Sequence, residues 1–259
     1  ALLAESTNPD RKVRRAAFKA LGRLAEQKDL PALVAILVKS QNDAGRTDAE
    51  RAAASVARKI TDESKRADIV LNALNTEESL PVKCSLLRVL GGIANSKSLD
   101  AVAAASQHAD PTVRDAAVRT LSQWPNASAA KVLLDIYSDN QNLIHRQLAL
   151  RGFARMLALP DADRSARESL EMCRKVMSKT RSADEKKQVL SGLGNVAHPD
   201  ALAMAGQFVE IEAVRTEAAM ATIKIAAAIG QTHPDQAKTA IEKVLSVAQI
   251  PYLREQAQE

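Results

Sequence analysis

Aromatic residues are scarce. The 259-residue chain holds one Trp, two Tyr and three Phe, 2% of the total. Sugar sites and single-strand nucleic-acid sites need ring faces for stacking. Here Phe18, Trp124, Phe153, Tyr137 and Phe208 all fall on apolar stripes of helical segments, and only Tyr252 has no core role. Cysteine is nearly absent: Cys84 and Cys173 stand 89 residues apart, too far in an elongated helical array to bridge, so both are expected as free thiols on helices. Glycine and proline number nine each, which favours helix throughout. No run approaches the roughly 18 apolar residues of a membrane-spanning helix. No GxSxG, phosphate-binding or dinucleotide fingerprint is present. The four histidines have no second ligand at metal spacing: His108, His198 and His233 occupy turns and His145 begins a helix. No metal and no cofactor is expected.

What the sequence has is repetition. VRRAAFKALGRL from Val13, VKCSLLRVLGGI from Val82 and VRDAAVRTLSQW from Val113 are variants of one phrase. Weaker copies start at Ala49, His145, Glu185 and Val214, and a partial one at Leu253. Anchors lie 36, 33, 31, 32, 40, 29 and 39 residues apart. A period in the thirties with two helices per unit marks an α-solenoid. The expected fold is all-α: a right-handed α-α superhelix of about seven helix-turn-helix repeats. First helices are expected on its convex side and second helices on its concave side. Residues 1–259 read as one such array, with ALLAESTN and LREQAQE at the ends resembling pieces of neighbouring repeats; a segment of a longer chain is expected.

Local signals fill in the units. Asn8 is read as a cap before Pro9, with Val13, Ala16, Ala17, Ala20, Leu21 and Leu24 as the apolar stripe. Leu33, Ile36 and Leu37 mark the second helix. Asp110 and Pro111 open the fourth unit, whose stripe is Val113, Ala116, Ala117, Leu121 and Trp124, followed by Leu133, Ile136 and Tyr137. Ser182 and Glu185 have capping-box spacing. Ser40–Thr47 reads as the most loop-like connection, Pro160–Asp163 as a second loop, and residues 165–178 and 234–248 as long second helices. Gly192 and Gly194 lie late in a first helix, where they serve packing.

The net charge is +5, a surplus too small for a dedicated nucleic-acid binder. The excess is uneven: residues 1–24 carry six basic and two acidic side chains, residues 144–187 eleven and six, and residues 188–259 five and eight. The second position of the phrase is basic in Arg14, Lys83, Arg114, Arg146, Lys186, Arg215 and Arg254, with Glu50 breaking the series.

The phrase DPTVRDAAVRTLSQW resembles a HEAT repeat, of the short kind found in phycobilin lyases. RQLALRGFARMLALP, DEKKQVLSGLGNVAHPDAL and the final LREQAQE resemble the HEAT region of large multidomain bacterial proteins. Those proteins also carry a keto-disaccharide hydrolase-like or a cytochrome c domain. The resemblance implies an exported, extracytoplasmic chain whose chemistry sits in a fused domain outside this segment. In HEAT repeats the basic second position forms a ladder with acidic groups of the adjoining repeat, for which Asp10 and Asp110 are candidates here.

Pairs such as Asp161 with Asp163 and Glu168 with Glu171 could be imagined as general acid and base; on a polar helix face they read as solvated charges. The cluster Arg164, Arg167, Arg174, Lys175, Lys179 and Arg181, with Arg167, Arg174 and Arg181 on one face, reads as an ion-paired helix surface. No enzyme activity is expected. The expected function is protein–protein interaction or scaffolding. Exposed second-helix positions Lys39, Asn72, Asp135, Glu171, Arg174, Lys238 and Glu242 would contact a protein partner. The alternatives are a nucleic-acid-binding, DNA glycosylase-like solenoid and a phycobilin-lyase-like subunit.

Overall fold

Repeated N-caps start the helices. The Asp110 carboxylate accepts the amides of Thr112 and Val113, and Pro111 occupies the first helical position, where no amide is missed. Asn142 caps in the same way through Ile144 and His145. Ser165 and Glu168 close a reciprocal capping box. At Ser182 only half of such a box forms: its hydroxyl accepts the Glu185 amide, while the Glu185 carboxylate accepts the amide of Arg181.

The computed structural model describes residues 1–40, 43–161, 163–247 and Glu255. In order they form α1 (Leu2–Glu5), α2 (Arg11–Leu24), α3 (Leu30–Lys39), α4 (Asp43–Ala57), α5 (Asp68–Thr76), α6 (Leu80–Ile93), α7 (Ser96–Ala105) and α8 (Pro111–Ser122). There follow α9 (Ala130–Asp139), α10 (Leu143–Met156), α11 (Ala166–Met177), α12 (Ala183–Leu193), α13 (Pro199–Gly206), α14 (Arg215–Ile229) and α15 (Pro234–Val247). No strand occurs among the described residues. The eighth phrase, Tyr252 and Arg254 lie outside the described residues.

The chain forms two compact units, Ala1–Pro125 and Asn126–Glu259. In the first, α2, α4, α6 and α8 stack in sequence as first helices, and α3 packs on α5 in the second-helix layer. In the second, α10, α12 and α14 stack as first helices; α9 packs on α11, and α13 on α15. The core lies between the layers. Leu30, Leu33, Leu37, Leu87, Leu90 and Leu121 are fully buried in the first unit, and Leu133, Tyr137, Leu150 and Phe153 in the second. Packing of an amphipathic face on its neighbours, rather than propensity alone, holds such helices.

Several expectations need correction. Asp10, not Asn8, caps α2: its carboxylate accepts the Lys12 and Val13 amides, and Asn8 instead accepts the amide of Asp10. Pro9 therefore precedes the helix. On α2 only Ala17, Phe18 and Leu21 are buried, while Leu24 is 72% exposed. On α8 the corresponding stripe positions Val113 and Leu121 are buried. Ser40–Thr47 is not a loop throughout, because α4 begins at Asp43; residues 41 and 42 lie outside the described residues. Phe208 lies beyond the end of α13 and is only partly buried. Trp124 follows α8 rather than belonging to it, yet is fully buried.

Two glycines make a paired test of packing. A Cβ at Gly192 on α12 would lie 3.0 Å from the Ala154 Cα and 2.9 Å from a Leu157 methyl of the preceding repeat. At Gly206 it would meet nothing within 4 Å. Gly192→Ala is therefore expected to destabilise by about 1–3 kcal/mol, overriding the helix-propensity gain. Gly206→Ala should stabilise by about 0.4–1 kcal/mol through the unfolded state. Urea midpoints of the two variants measure both signs.

Candidate partner-binding surface

The seven residues picked out from the sequence all lie on second helices and all are exposed. Lys39 is on α3, Asn72 on α5, Asp135 on α9, Glu171 and Arg174 on α11, and Lys238 and Glu242 on α15. The structure places three of them in ion pairs that bridge neighbouring second helices, in two separate groups. Arg174 pairs with Glu171 at 2.6 Å and reaches Asp200 on α13 at 3.5 Å; Asp135 pairs with Lys175 at 3.6 Å. Lys179 and Asp139 stand 3.9 Å apart. These pairs cross from α9 to α11 to α13, so the polar face of the second unit is continuous over three repeats. Each exposed pair contributes about 0–1 kcal/mol; their value is in fixing charge positions.

This also resolves the basic cluster. Arg174, Lys175 and Lys179 are ion-paired as expected. Arg164 is mostly buried against Asp161, at 3.4 Å, and donates to the Ser169 hydroxyl. Arg181 does not share the face of Arg167 and Arg174, because α11 ends at Met177.

The imagined catalytic groups have structural tasks. The Asp161 carboxylate accepts the Asp163 amide at 3.2 Å and pairs with Arg164. The Ser165 amide and hydroxyl bonded to Glu168 hold its carboxyl below the usual range. His108 and His198 each accept the amide two residues on through Nδ1, at 3.0 and 3.1 Å. Both cysteines are free and buried, and burial raises the Cys84 thiol and pushes that of Cys173 to about 12. Among the described residues no group of three His, Cys, Asp or Glu is placed to hold a metal ion. No described helix is long and apolar enough to cross a membrane.

The repeated basic position has a different partner from the one expected. Arg14 Nη1 donates to the carbonyls of Asn8 and Pro9, Arg114 Nη1 to those of His108 and Ala109, and Arg215 to those of Val209 and Glu210. Each guanidinium thus reaches back five and six residues to carbonyls that the preceding helix or turn leaves unpaired. Arg46 does the same to Ser40. The second repeat therefore does carry the arginine; it was hidden because α4 starts six residues before the phrase at Ala49. Glu50, the apparent break, makes a bidentate pair with Arg88 of the next repeat at 2.7–3.1 Å.

Among the described residues of this series, Arg146 alone approaches the acidic ladder. It is 2% exposed, its guanidinium lies 4.4 Å from the Tyr137 ring centroid, and Nη1 donates to the Tyr137 carbonyl. Glu185 of the next repeat stands 3.9 Å from Nη2. The Tyr137 hydroxyl lies 3.2 Å from both the Lys179 carbonyl and the Glu185 carboxylate. Burial first, then the Glu185 charge, pushes this phenol up to about 12, so it remains a donor at neutral pH.

Sequence reasoning missed one surface feature. The outward faces of first helices in the first unit form two grooves, of about 570 Å³ between α2 and α4 and about 480 Å³ between α6 and α8, both edged by arginine or lysine. The signal was available in α2, whose 14 residues hold six basic and no acidic side chains.

A family model for HEAT repeats matches residues 67–154. No curated protein matches the chain. Among solved structures, an engineered protein is 18% identical with a TM-score of 0.50, over 99% of this chain and 76% of its own. Kap121p bound to Nup53p is 14% identical with a TM-score of 0.53, over 95% of this chain but only 28% of Kap121p. An archaeal HEAT-like repeats protein from Thermococcus onnurineus is 16% identical with a TM-score of 0.47, over 86% and 99%. The helix pairs, their capped starts and these likenesses give the chain the all-α fold of a HEAT-type α-solenoid, with residues 67–154 matching the HEAT-repeat family itself.

Proposed function

We propose that this chain is a non-catalytic protein-binding module that uses the exposed face of its second helices. The observation that carries the reading is the stacking of second helices within each unit, α3 on α5 and α9 on α11, which turns isolated exposed side chains into continuous polar surfaces. Lys39 and Asn72 lie on the first of these, and Asp135, Glu171 and Arg174 on the second; Lys238 and Glu242 extend the proposal to α15. Repeats contribute contacts additively, so such a surface gains affinity by length rather than by one pocket. Kap121p, similar in fold, is described with Nup53p bound, which supports the class of function. Catalysis, if the native protein has any, belongs in this reading to a domain outside the chain.

The test is capture of ligands from native lysate on the wild-type chain and on a Lys39→Glu/Arg174→Glu/Lys238→Glu variant, with mass spectrometry of what is retained. A protein held by wild type through a high-salt wash and lost by the variant is the expected result. Nucleic acid held at low salt and released at high salt would overturn it.

A further inference from the structure

The first-helix face of the Ala1–Pro125 unit has a composition that the second-helix reading does not use. Lys12, Arg15, Lys19 and Arg23 are spaced three, four and four residues apart on α2, so they form one row about 16 Å long. All four are exposed, and none has an ion-pair partner among the described residues. Arg51 of α4, its side chain 73% exposed, faces them across the groove and stands 4.0 Å from Asp48, the one acid on that rim, so the positive surplus lies on the α2 side. The floor between the rims is small and largely apolar: Ala16, Gly22, Ala52 and Ser55. Two first helices further along, the groove between α6 and α8 repeats the design. Its rim carries Arg58, Arg88 and Arg119 and its floor Gly91, Gly92, Ala116 and Thr120, but there Arg88 pairs with Glu50, Arg119 with Asp115 and Arg58 donates to the Gly92 carbonyl, so the unpaired row is a feature of the α2/α4 groove.

The equivalent groove in the other unit, between α12 and α14, has about 670 Å³ and one charge of each sign, Glu217 and Lys224. Stacked first helices therefore produce the groove, and sequence decides its charge. Cations on both lips of a narrow trough with a methyl-lined floor match an acidic segment that also carries small apolar side chains. A nucleic acid fits less well. Its phosphates would meet the lips, but the aromatic rings of this unit, Phe18 and Trp124, are buried and offer no face to a base. A duplex is too broad to reach the floor.

We propose that the first-helix face of the Ala1–Pro125 unit binds an acidic, amphipathic polypeptide segment, seated in the α2/α4 groove between the Lys12–Arg23 row and Arg51. This extends the protein-binding reading to a second face. It does not depend on the second-helix residues, and the two tests fail independently because their variants are disjoint.

The probe is a fluorescent peptide of about 20 residues with Glu and Leu at helical i, i+4 spacing, titrated with the intact 259-residue chain. A duplex DNA of equal charge and a peptide with Gln replacing Glu serve as comparisons. Binding of the acidic peptide is expected to weaken at least about tenfold in Arg15→Glu/Lys19→Glu, to weaken with salt, and to be unchanged in Arg167→Glu on α11. Circular dichroism of each variant shows that the helices are intact. Three results would each overturn the proposal: no binding of the acidic peptide, equal binding of the Gln peptide, or duplex DNA binding more tightly than the peptide.

Discussion

Leu121→Ala is expected to lower the unfolding free energy of the first unit by about 2–5 kcal/mol. Leu121 is fully buried on α8, one helical turn before the fully buried Trp124. Truncation removes three heavy atoms from a site whose neighbours are held by backbone on stacked helices, so the hole closes only in part. Lys39→Ala, on the exposed second-helix face, should stay within about 0.5 kcal/mol of wild type. Urea titration followed by the fluorescence of the single Trp reports on this unit directly. A shifted midpoint with an unchanged slope marks lost stability rather than a changed unfolded state. Small and equal effects of the two variants would mean that the inward face of α8 is not the one described.

Arg146→Ala is expected to cost about 3–5 kcal/mol. The guanidinium holds together three helices of the second unit: it donates to the last turn of α9, stacks on the Tyr137 ring and faces Glu185 of α12. Its removal leaves the Tyr137 carbonyl without that donor and the Glu185 carboxylate beside a new cavity. Nε and Nη2 of Arg146 are buried with no hydrogen-bond partner among the described residues, so part of the charge's desolvation is not recovered even in the native protein. Arg146→Met separates the two contributions: it keeps the stem's packing and removes the charge, so it should fall between wild type and alanine. Hydrogen exchange resolves where the loss is felt. Protection should fall in α9, α10 and α12 and stay unchanged in α2 and α4. A uniform loss, or a loss below about 1 kcal/mol, would show that the node is incidental.

Much of this was legible in the residues. The recurring phrase located each of the seven first helices among the described residues, and Asp110–Pro111 marked the start of α8 to the residue. The long second helices were placed within one residue over the part described, Ala166–Met177 and Pro234–Val247. The seven second-helix candidates proved exposed because helical phase alone settles which side of an amphipathic helix faces outward. What was misread shares a cause. The arginine ladder was assigned to acidic partners because side chains are visible in a sequence and carbonyls are not. Arg14, Arg46, Arg114 and Arg215 bond backbone instead. The start of α4 was placed late because its first turn, with Gly45 and Thr47, lacks the apolar spacing that reveals a helix, and only the contact with Ser40 discloses its register.

The sequence by itself determined the helix pairs and most of the buried positions, though not the cap of α2 or the exposure of Leu24. Those follow from local rules: side-chain periodicity and capping chemistry. The tertiary structure alone decided which charges meet. Asp135 with Lys175 and Glu50 with Arg88 are separated by about forty residues of chain, and their pairing depends on how far one helix is rotated and slid along the next. It also decided that, of the six cations on α2, Arg14 is spent on carbonyls and four others line a groove. Composition records the cations; only helix crossing sets what they face, because electrostatic contacts act over a few ångströms while a repeat spans more than thirty residues.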